Sequence, residues 1–183
     1  MGYWNSRGLR GSVFEEMINL TNEQYEKRGI ALIQKIPTPI KPVEFDSEKR
    51  TIKLAYFEQK STVDYIGVMH GIPICFDAKE TARKSLPFGN IHPHQVQFMK
   101  KFSQQGGIAF LLVHFTDENA YYLLPVETLC DYYESENKNK IHSIPREAFN
   151  EEYRIQPPEG GFFNYLKAAY QYYEHLQEKR VDN

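Results

Sequence analysis

The chain has 183 residues, of which 41% are hydrophobic and 25% are charged, and its formal net charge is −2, a composition typical of one globular domain over residues 1–183. The longest wholly apolar run covers residues 108–113, far short of the roughly 18 residues of a membrane helix. The first residues lack the apolar stretch of a signal peptide, and two cysteines are too few for a disulfide framework, so we expect a soluble cytoplasmic protein.

The first predicted element is an amphipathic helix between Ser12 and Gly29. Ser12 and Glu15 match a capping box, which satisfies free backbone amides at the start of a helix. Apolar residues at helical spacing share one face of it: Phe14, Ile18 and Tyr25. Residues 30–36 then form a predicted buried strand.

Two hairpins follow in the chain. The first joins residues 40–45 and 51–57 through a charged turn, and we expect it to project with a rather polar surface. The second joins residues 63–69 and 72–79 through His70-Gly71, a dipeptide suited to a two-residue turn.

The remaining predicted elements are two helices and two strands. One helix covers residues 93–105, strands follow at 108–115 and 120–126, and a closing helix spans 162–179. Residues 127–160 are acidic and contain proline, and they fit either an ordered connection or a partner surface. The order of elements predicts a mixed sheet flanked by helices, in the α/β or α+β class.

The second hairpin has a register in which paired residue numbers sum to 141, because Met69 faces Ile72. Asp64 then faces Asp77, and Thr62 faces Lys79. Alternation assigns the apolar members to the opposite face: Val63, Tyr65, Met69, Ile72, Ile74, Phe76 and Ala78.

Two opposed carboxylates destabilise a sheet unless a cation neutralises them. Carboxylate oxygens suit Mg²⁺, which supports phosphoryl-transfer chemistry by activating water and offsetting phosphate charge. The pattern of Asp64, Asp77 and Lys79 equally fits a solvent-facing sheet in which Lys79 pairs with an acid.

Positive charge is concentrated in the first part of the chain. Residues 1–101 contain 15 Lys and Arg residues against 11 Asp and Glu residues, whereas residues 102–183 contain 7 against 13. Such basic clusters fit phosphate contacts or a solvated surface. The overall charge of −2 argues against a protein that simply coats nucleic acid.

Short motifs extend this pattern over almost the whole chain. Asp64 followed by Asp77-Ala78-Lys79 matches the PD-(D/E)xK nuclease superfamily. The flanking matches are Ser6-Arg7-Gly8, Thr21-Asn22, Arg28-Gly29-Ile30-Ala31, Lys35-Ile36-Pro37-Thr38-Pro39, Ala55-Tyr56-Phe57, Ser61-Thr62-Val63-Asp64-Tyr65, Phe76-Asp77-Ala78-Lys79-Glu80-Thr81 and His92-Pro93-His94-Gln95. With these motifs the sequence resembles RecU-type Holliday junction resolvases.

This resemblance implies a restriction-endonuclease-like α/β fold, in which a mixed central sheet is flanked by helices and a β-hairpin stalk at about residues 38–58 enters the junction centre. It implies a homodimeric enzyme that cuts four-way junction DNA by paired nicks in recombination and repair. A recombinase or a branch-migration helicase is a further implied partner.

The resemblance also implies the roles of the site residues. Mg²⁺, or Mn²⁺ in its place, would bind Thr62, Asp64, Asp77 and Gln95. Lys79 would stabilise the transition state and Glu15 would orient metal or water, although the capping box also explains a glutamate at that position. Candidate DNA contacts come from the hairpin and the basic clusters: Arg7, Arg10, Lys41, Lys49, Arg50, Lys53, Arg83 and Lys84.

Departures from the family pattern keep alternatives open. RecU-type proteins usually have Glu where this chain has Asp77, and the shorter side chain retracts the carboxylate by about 1.5 Å. The loop between Lys79 and His92 is also one residue shorter. A junction-binding protein with a decayed site, and a related nuclease for another DNA structure, therefore remain alternatives.

Two further groups have two interpretations each. His92 and His94 fit a metal pair or, more commonly, surface residues at the entry of a helix. Several tyrosines fit either base stacking or core packing: Tyr121, Tyr122, Tyr132, Tyr133, Tyr165, Tyr170, Tyr172 and Tyr173.

Overall fold

The computed structural model describes residues 13–57, 62–139 and 141–181, so the predicted cap at Ser12 lies outside the described residues. The helices in these ranges are α1 (Val13–Lys27), α2 (Pro93–Gln104), α3 (Val126–Asn139) and α4 (Leu166–Val181). The strands are β1 (Ala31–Lys35), β2 (Ile40–Asp46), β3 (Thr51–Phe57), β4 (Tyr65–Met69), β5 (Ile72–Thr81), β6 (Ser85–Pro87), β7 (Ile108–Phe115), β8 (Ala120–Pro125), β9 (Ser143–Pro145) and β10 (Arg154–Ile155).

The largest sheet has six strands in the order β1-β4-β5-β7-β8-β10. Its central pair, β5 and β7, is parallel, and its other neighbouring strands are antiparallel. A parallel pair needs a crossover connection, and α2 lies in the segment that makes it. The predicted mixed sheet with flanking helices is therefore confirmed.

Helices cover both faces of this sheet. α1 and α4 pack on one face, where the rings of Phe76 and Phe110 stack 5.0 Å apart. α2 and α3 pack on the other face, around Met99 and Leu111. Because both faces are covered, β7 is apolar and buried at almost every position. The neighbouring strand β5 consequently lies in a well-packed environment.

The second hairpin has the predicted register. Pairing runs from Met69 opposite Ile72 to Tyr65 opposite Phe76, and the turn residues His70 and Gly71 both have positive φ, as a tight hairpin turn requires. The prediction that Val63 lies on the same face as Tyr65 is wrong. Regular pairing stops at Tyr65, so alternation no longer applies, and Val63 packs on the α2 and α3 face.

β1 differs from the predicted buried strand because it lies at the edge of the sheet. Ala31 and Ile33 are buried under α1, whereas Leu32 on the opposite face is 62% exposed. An edge strand of this kind is covered on one face only, so buried and exposed side chains alternate along it. Its short apolar sequence does not reveal this alternation.

The first hairpin forms a two-stranded sheet from β2 and β3, separate from the six-stranded sheet. Its register shifts between Pro42 and Phe45, which is typical of β-bulges. The expectation of a rather polar surface is wrong, because the hairpin exposes six large apolar side chains: Ile40, Val43, Phe45, Ile52, Leu54 and Tyr56.

Residues 127–160 contain more regular structure than the sequence indicated. Most of α3 lies there, and Leu129 is buried on its inner face. β9 pairs with β6, so that Ile144 lies opposite Leu86 and both are buried. The many acidic residues of this segment concealed an amphipathic helix whose inner face packs on α2.

The closing helix starts at Leu166, four residues later than predicted, because Phe163 still belongs to the preceding loop and its amide donates to Thr21 Oγ1.

The packing interpretation of the tyrosines is confirmed for the four that are buried: Tyr121, Tyr122, Tyr165 and Tyr172. No helix in the described part of the chain is long and apolar enough to cross a membrane.

Candidate active site

The candidate site lies where β5 passes beside the start of α2. Alternation along β5 directs Cys75 and Asp77 to the α2 and α3 face, and the Asp77 side chain is fully buried. The interpretation of a solvent-facing sheet is therefore wrong for Asp77. A carboxylate buried in this way requires compensating partners.

Asp64 and Asp77 lie side by side, as the register predicts. They are not partners in a regular strand ladder, because pairing ends at Tyr65, and other hydrogen bonds join the two segments. The backbone N–H of Asp64 donates to Asp77 Oδ1 at 2.6 Å. The backbone N–H of Ala78 donates to Asp64 Oδ2 at 3.2 Å. Each carboxylate thus accepts an amide hydrogen bond from the opposite segment, which offsets part of the repulsion between the two acids.

Thr62 does not face Lys79 as a strand partner. The described β4 strand begins only at Tyr65, and Thr62 is exposed two residues before Asp64. Its predicted place beside a metal ion follows from the resemblance and stays a prediction.

Lys79 connects the strand to the helix. Its Nζ lies 3.2 Å from Asp77 Oδ2 and donates to Gln95 Oε1, also at 3.2 Å. Only 12% of the Lys79 side chain is exposed, so its ammonium group is held mainly by these protein groups.

Gln95 reaches Lys79 because of the way α2 begins. Pro93 occupies the first position of the helix, and Gln95, the third residue, accepts a hydrogen bond from the His92 N–H at 3.3 Å. This is the glutamine half of a capping box, and it fixes the side chain at the helix start. The first turn of α2 is therefore linked to the buried carboxylate through Lys79.

The pKa of Asp77 is raised to about 6, and burial is the largest cause. The Lys79 ammonium works against this rise, and the Asp64 carboxylate adds to it. Asp77 Oδ2 is buried, and among the described residues it has no hydrogen-bond donor in good geometry, although the Lys79 ammonium lies 3.2 Å from it. A buried carboxylate oxygen whose hydrogen bonding is incomplete is well suited to bind a cation.

These residues fit a site for a divalent metal ion. Mg²⁺ is commonly held by one or two carboxylates, with water and phosphate oxygens completing its shell, and Asp64 and Asp77 supply that pair. The described residues contain no group of three or more His, Cys, Asp or Glu side chains that could hold a metal. His92 is the exposed N-cap of α2, as the helix-entry interpretation predicts, and its ring stacks on that of His94 at 5.4 Å.

Glu15 is placed by α1 at the edge of this region. Its carboxylate forms an ion pair with Lys35 on β1 at 2.5 Å, and its backbone oxygen accepts a hydrogen bond from Tyr65 OH. The amide that follows Lys35, that of Ile36, donates to the backbone oxygen of Asp64. Lys35 is thus a cation near the site that the sequence analysis did not assign, although it lies in one of the matching motifs.

The predicted DNA contacts separate into groups. Arg83 and Lys84 are exposed in the turn directly after β5, a few residues from Lys79. The hairpin residues Lys41, Lys49, Arg50 and Lys53 are exposed on β2, β3 and their turn, and Lys53 forms an ion pair with Asp46 at 3.4 Å. Arg7 and Arg10 lie outside the described residues.

Comparison with known proteins bears directly on the predicted resemblance. The model of the family described as Recombination protein U, RecU, matches residues 9–171. The chain belongs to the RecU family. The predicted resemblance is confirmed.

Named relatives of this RecU family member agree with the match. The Holliday junction resolvase RecU of Streptococcus pneumoniae (strain P1031) is 43% identical over 157 residues, covering 84% of this chain and 78% of that protein. That of Streptococcus gordonii is 47% identical over 135 residues, covering 72% of this chain and 68% of that protein. Among solved structures, Archaeoglobus fulgidus Hjc, a Holliday junction resolvase, aligns with a TM-score of 0.47 and 14% identity over 76% of this chain and 91% of that chain.

Proposed function

We propose that this RecU family member is a magnesium-dependent endonuclease that resolves Holliday junctions by phosphodiester hydrolysis. The observation that carries the proposal is the buried Asp77 carboxylate, whose Oδ2 lies 3.2 Å from the Lys79 ammonium and whose Oδ1 accepts the Asp64 N–H. The names of the RecU relatives supply the substrate class.

Each residue has a distinct chemical role in the proposal. Asp64 and Asp77 hold Mg²⁺, which supplies an acidified water and positive charge beside the scissile phosphate when it is bound. Lys79 stabilises the negative charge that develops on the phosphate, and Gln95 keeps the lysine ammonium in position. Thr62 and Gln95 are the further candidate ligands, and Mn²⁺ is the expected substitute ion.

Recognition of the junction depends on shape in this proposal. The β2–β3 hairpin is the stalk that enters the junction centre, and Arg83 and Lys84 contact phosphates near the cut site. The two-fold symmetry of a homodimer matches that of an open four-way junction, so two equivalent bonds are cut. The protein then acts on DNA in the cytoplasm, together with a recombinase or a branch-migration helicase.

Nicking of a synthetic mobile four-way junction tests this function. A linear duplex of the same sequence serves as the substrate control, each substrate is assayed with Mg²⁺ and with chelator, and Lys79→Ala is the matched variant. We expect paired nicks in the junction alone, dependent on Mg²⁺, and a loss of at least about a hundredfold in Lys79→Ala with junction binding retained.

Two other outcomes identify the alternatives. Tight junction binding without cutting under Mg²⁺ or Mn²⁺ contradicts the nuclease and assigns the protein to junction holding, with Asp77 as part of a decayed site. Efficient cutting of the linear duplex contradicts junction selectivity and assigns a different DNA substrate.

A further inference from the structure

A groove of about 720 Å³ lies on the α1 and α4 side of the molecule and is not used by the proposed nuclease. We call it the α1–α4 groove. It runs between the end of α1, the β4–β5 turn and the first turns of α4, and its walls include Tyr25, Arg28, Met69, Phe162, Lys167 and Tyr170. Most of these side chains offer apolar or aromatic surface, which suits a ligand with an apolar anchor.

The floor of the groove is fixed by hydrogen bonds and ring contacts. Tyr25 OH donates to Asn164 Oδ1 at 3.1 Å and accepts from the Leu166 N–H at 3.3 Å. The rings of Tyr25 and Phe162 meet edge to face at 5.3 Å. A ligand would therefore find a surface that is already formed, which lowers the entropy cost of binding.

The charge of the groove has one sign. Arg28 and Lys167 line it, and none of the described lining residues is acidic. The Arg28 guanidinium lies 4.8 Å from the centre of the Phe162 ring, which orients it over the apolar surface. The start of α4, the positive end of its dipole, also opens onto the groove. A negatively charged ligand complements this surface.

We propose that the α1–α4 groove docks an acidic peptide segment of a partner protein, anchored by an aromatic or aliphatic side chain. The apolar anchor sits over Tyr25 and Phe162, and flanking carboxylates face Arg28 and Lys167. Peptide recognition of this kind combines a hydrophobic groove with charged rims that select the partner.

The groove lies away from the proposed nuclease site. The groove starts at the β4–β5 turn, and Asp77 lies five residues along β5 from Ile72, a distance of about 16 Å at the rise of a strand. Asp77 also belongs to the opposite face of the sheet. A partner on this groove therefore leaves the nuclease site open for its substrate.

Selection from a library of short random peptides displayed on phage tests the proposal, with the full-length protein as the immobilised target. We expect enriched sequences in which Asp or Glu residues flank an aromatic residue or leucine. Synthetic fluorescent versions of these peptides are then titrated by anisotropy. Affinity should fall roughly tenfold or more in Lys167→Glu and in Arg28→Glu, and it should fall with added salt.

Matched variants separate the groove from general surface charge. Lys101→Glu changes an exposed lysine on α2, on the other side of the sheet, and should leave peptide affinity unchanged. Tyr170→Ala should weaken binding without changing its salt dependence. Thermal melting of each variant checks that it folds. If Lys167→Glu fails to fold, Lys167→Gln takes its place.

Several outcomes overturn the proposal: no enrichment, enrichment of neutral or basic peptides, or equal affinity for wild type and Lys167→Glu. Displacement of the peptide by labelled duplex DNA, with the same loss in Lys167→Glu, assigns the groove to nucleic acid instead. Junction nicking by Lys167→Glu should stay at the wild-type rate, so failure of the nuclease proposal is seen separately.

Discussion

Burial controls the chemistry of Asp77 more than its charged neighbours do. Its pKa is raised to about 6 from an ordinary value of 3.8, so the folded protein without metal binds this proton more tightly than the unfolded chain does. The stability that the folded state gains from protonated Asp77 is complete below about pH 4 and is lost as the pH rises through 6. The shift corresponds to roughly 3 kcal/mol between these limits.

The variant Asp77→Asn removes this titration. We expect thermal melting in chelator to show wild type and Asp77→Asn about equally stable near pH 4. Near pH 8 the variant should melt higher by on the order of 5–10 °C, because it carries no buried carboxylate charge at this position. A variant that is less stable than wild type at pH 8 would mean that the contact with Lys79 outweighs the cost of burial.

Variants of the ion pair between Glu15 and Lys35 test whether Glu15 acts in catalysis or only caps the helix. Both side chains are partly exposed, so breaking the pair should change the free energy of unfolding by less than about 1 kcal/mol. We expect Glu15→Gln to slow junction nicking roughly tenfold, because its carboxylate would orient water or metal.

Lys35→Met breaks the same ion pair from the other side and serves as the control. It should slow nicking by less than about threefold, a difference measured in single-turnover assays at saturating protein. Equal losses in the two variants would show that the ion pair, rather than the Glu15 carboxylate, matters for the reaction.

At the scale of elements, the β2–β3 hairpin contributes little to the core. Its strands pair with each other in a separate sheet, and its large apolar side chains are exposed. Replacing residues 41–56 by a short Gly-Ser turn should therefore leave the thermal midpoint nearly unchanged, because little buried apolar area is lost.

The same replacement should abolish resolution of four-way junctions, because the proposed stalk is missing. Gel-shift and nicking assays measure this, with Phe45→Ser and Lys53→Gln as single-residue companions that test apolar and charged contacts separately. Normal junction nicking by the protein without the hairpin would show that the hairpin is not the stalk.

At the scale of the whole molecule, the proposed paired nicks need two sites. Sedimentation equilibrium should give twice the chain mass of 21.5 kDa. Dimers that contain one wild-type chain and one Lys79→Ala chain should nick a junction on one strand and leave its partner strand intact, since each chain supplies one site. Paired cutting by these mixed dimers, or a monomer in solution, would contradict this arrangement.

Much of the fold could be predicted because its signals act between residues close in the chain. The turn at His70-Gly71 has the positive φ values that set the hairpin register, and that register places Asp64 beside Asp77. Pro93 and the Gly106-Gly107 pair similarly bound α2. Turn chemistry and helix caps depend on a few neighbouring residues, so they can be recognised in sequence alone.

By itself, then, the sequence determined the family, the order of the main elements and the placement of Asp64 beside Asp77. Tertiary structure decided which positions water reaches: the full burial of Asp77, the edge position of β1, the place of Val63, and the helix α3 within an acidic segment. It also decided that Gln95 contacts Lys79, since these residues lie on different elements. The physical reason is that periodicity reports the face of an element, whereas burial depends on distant segments that pack against that face.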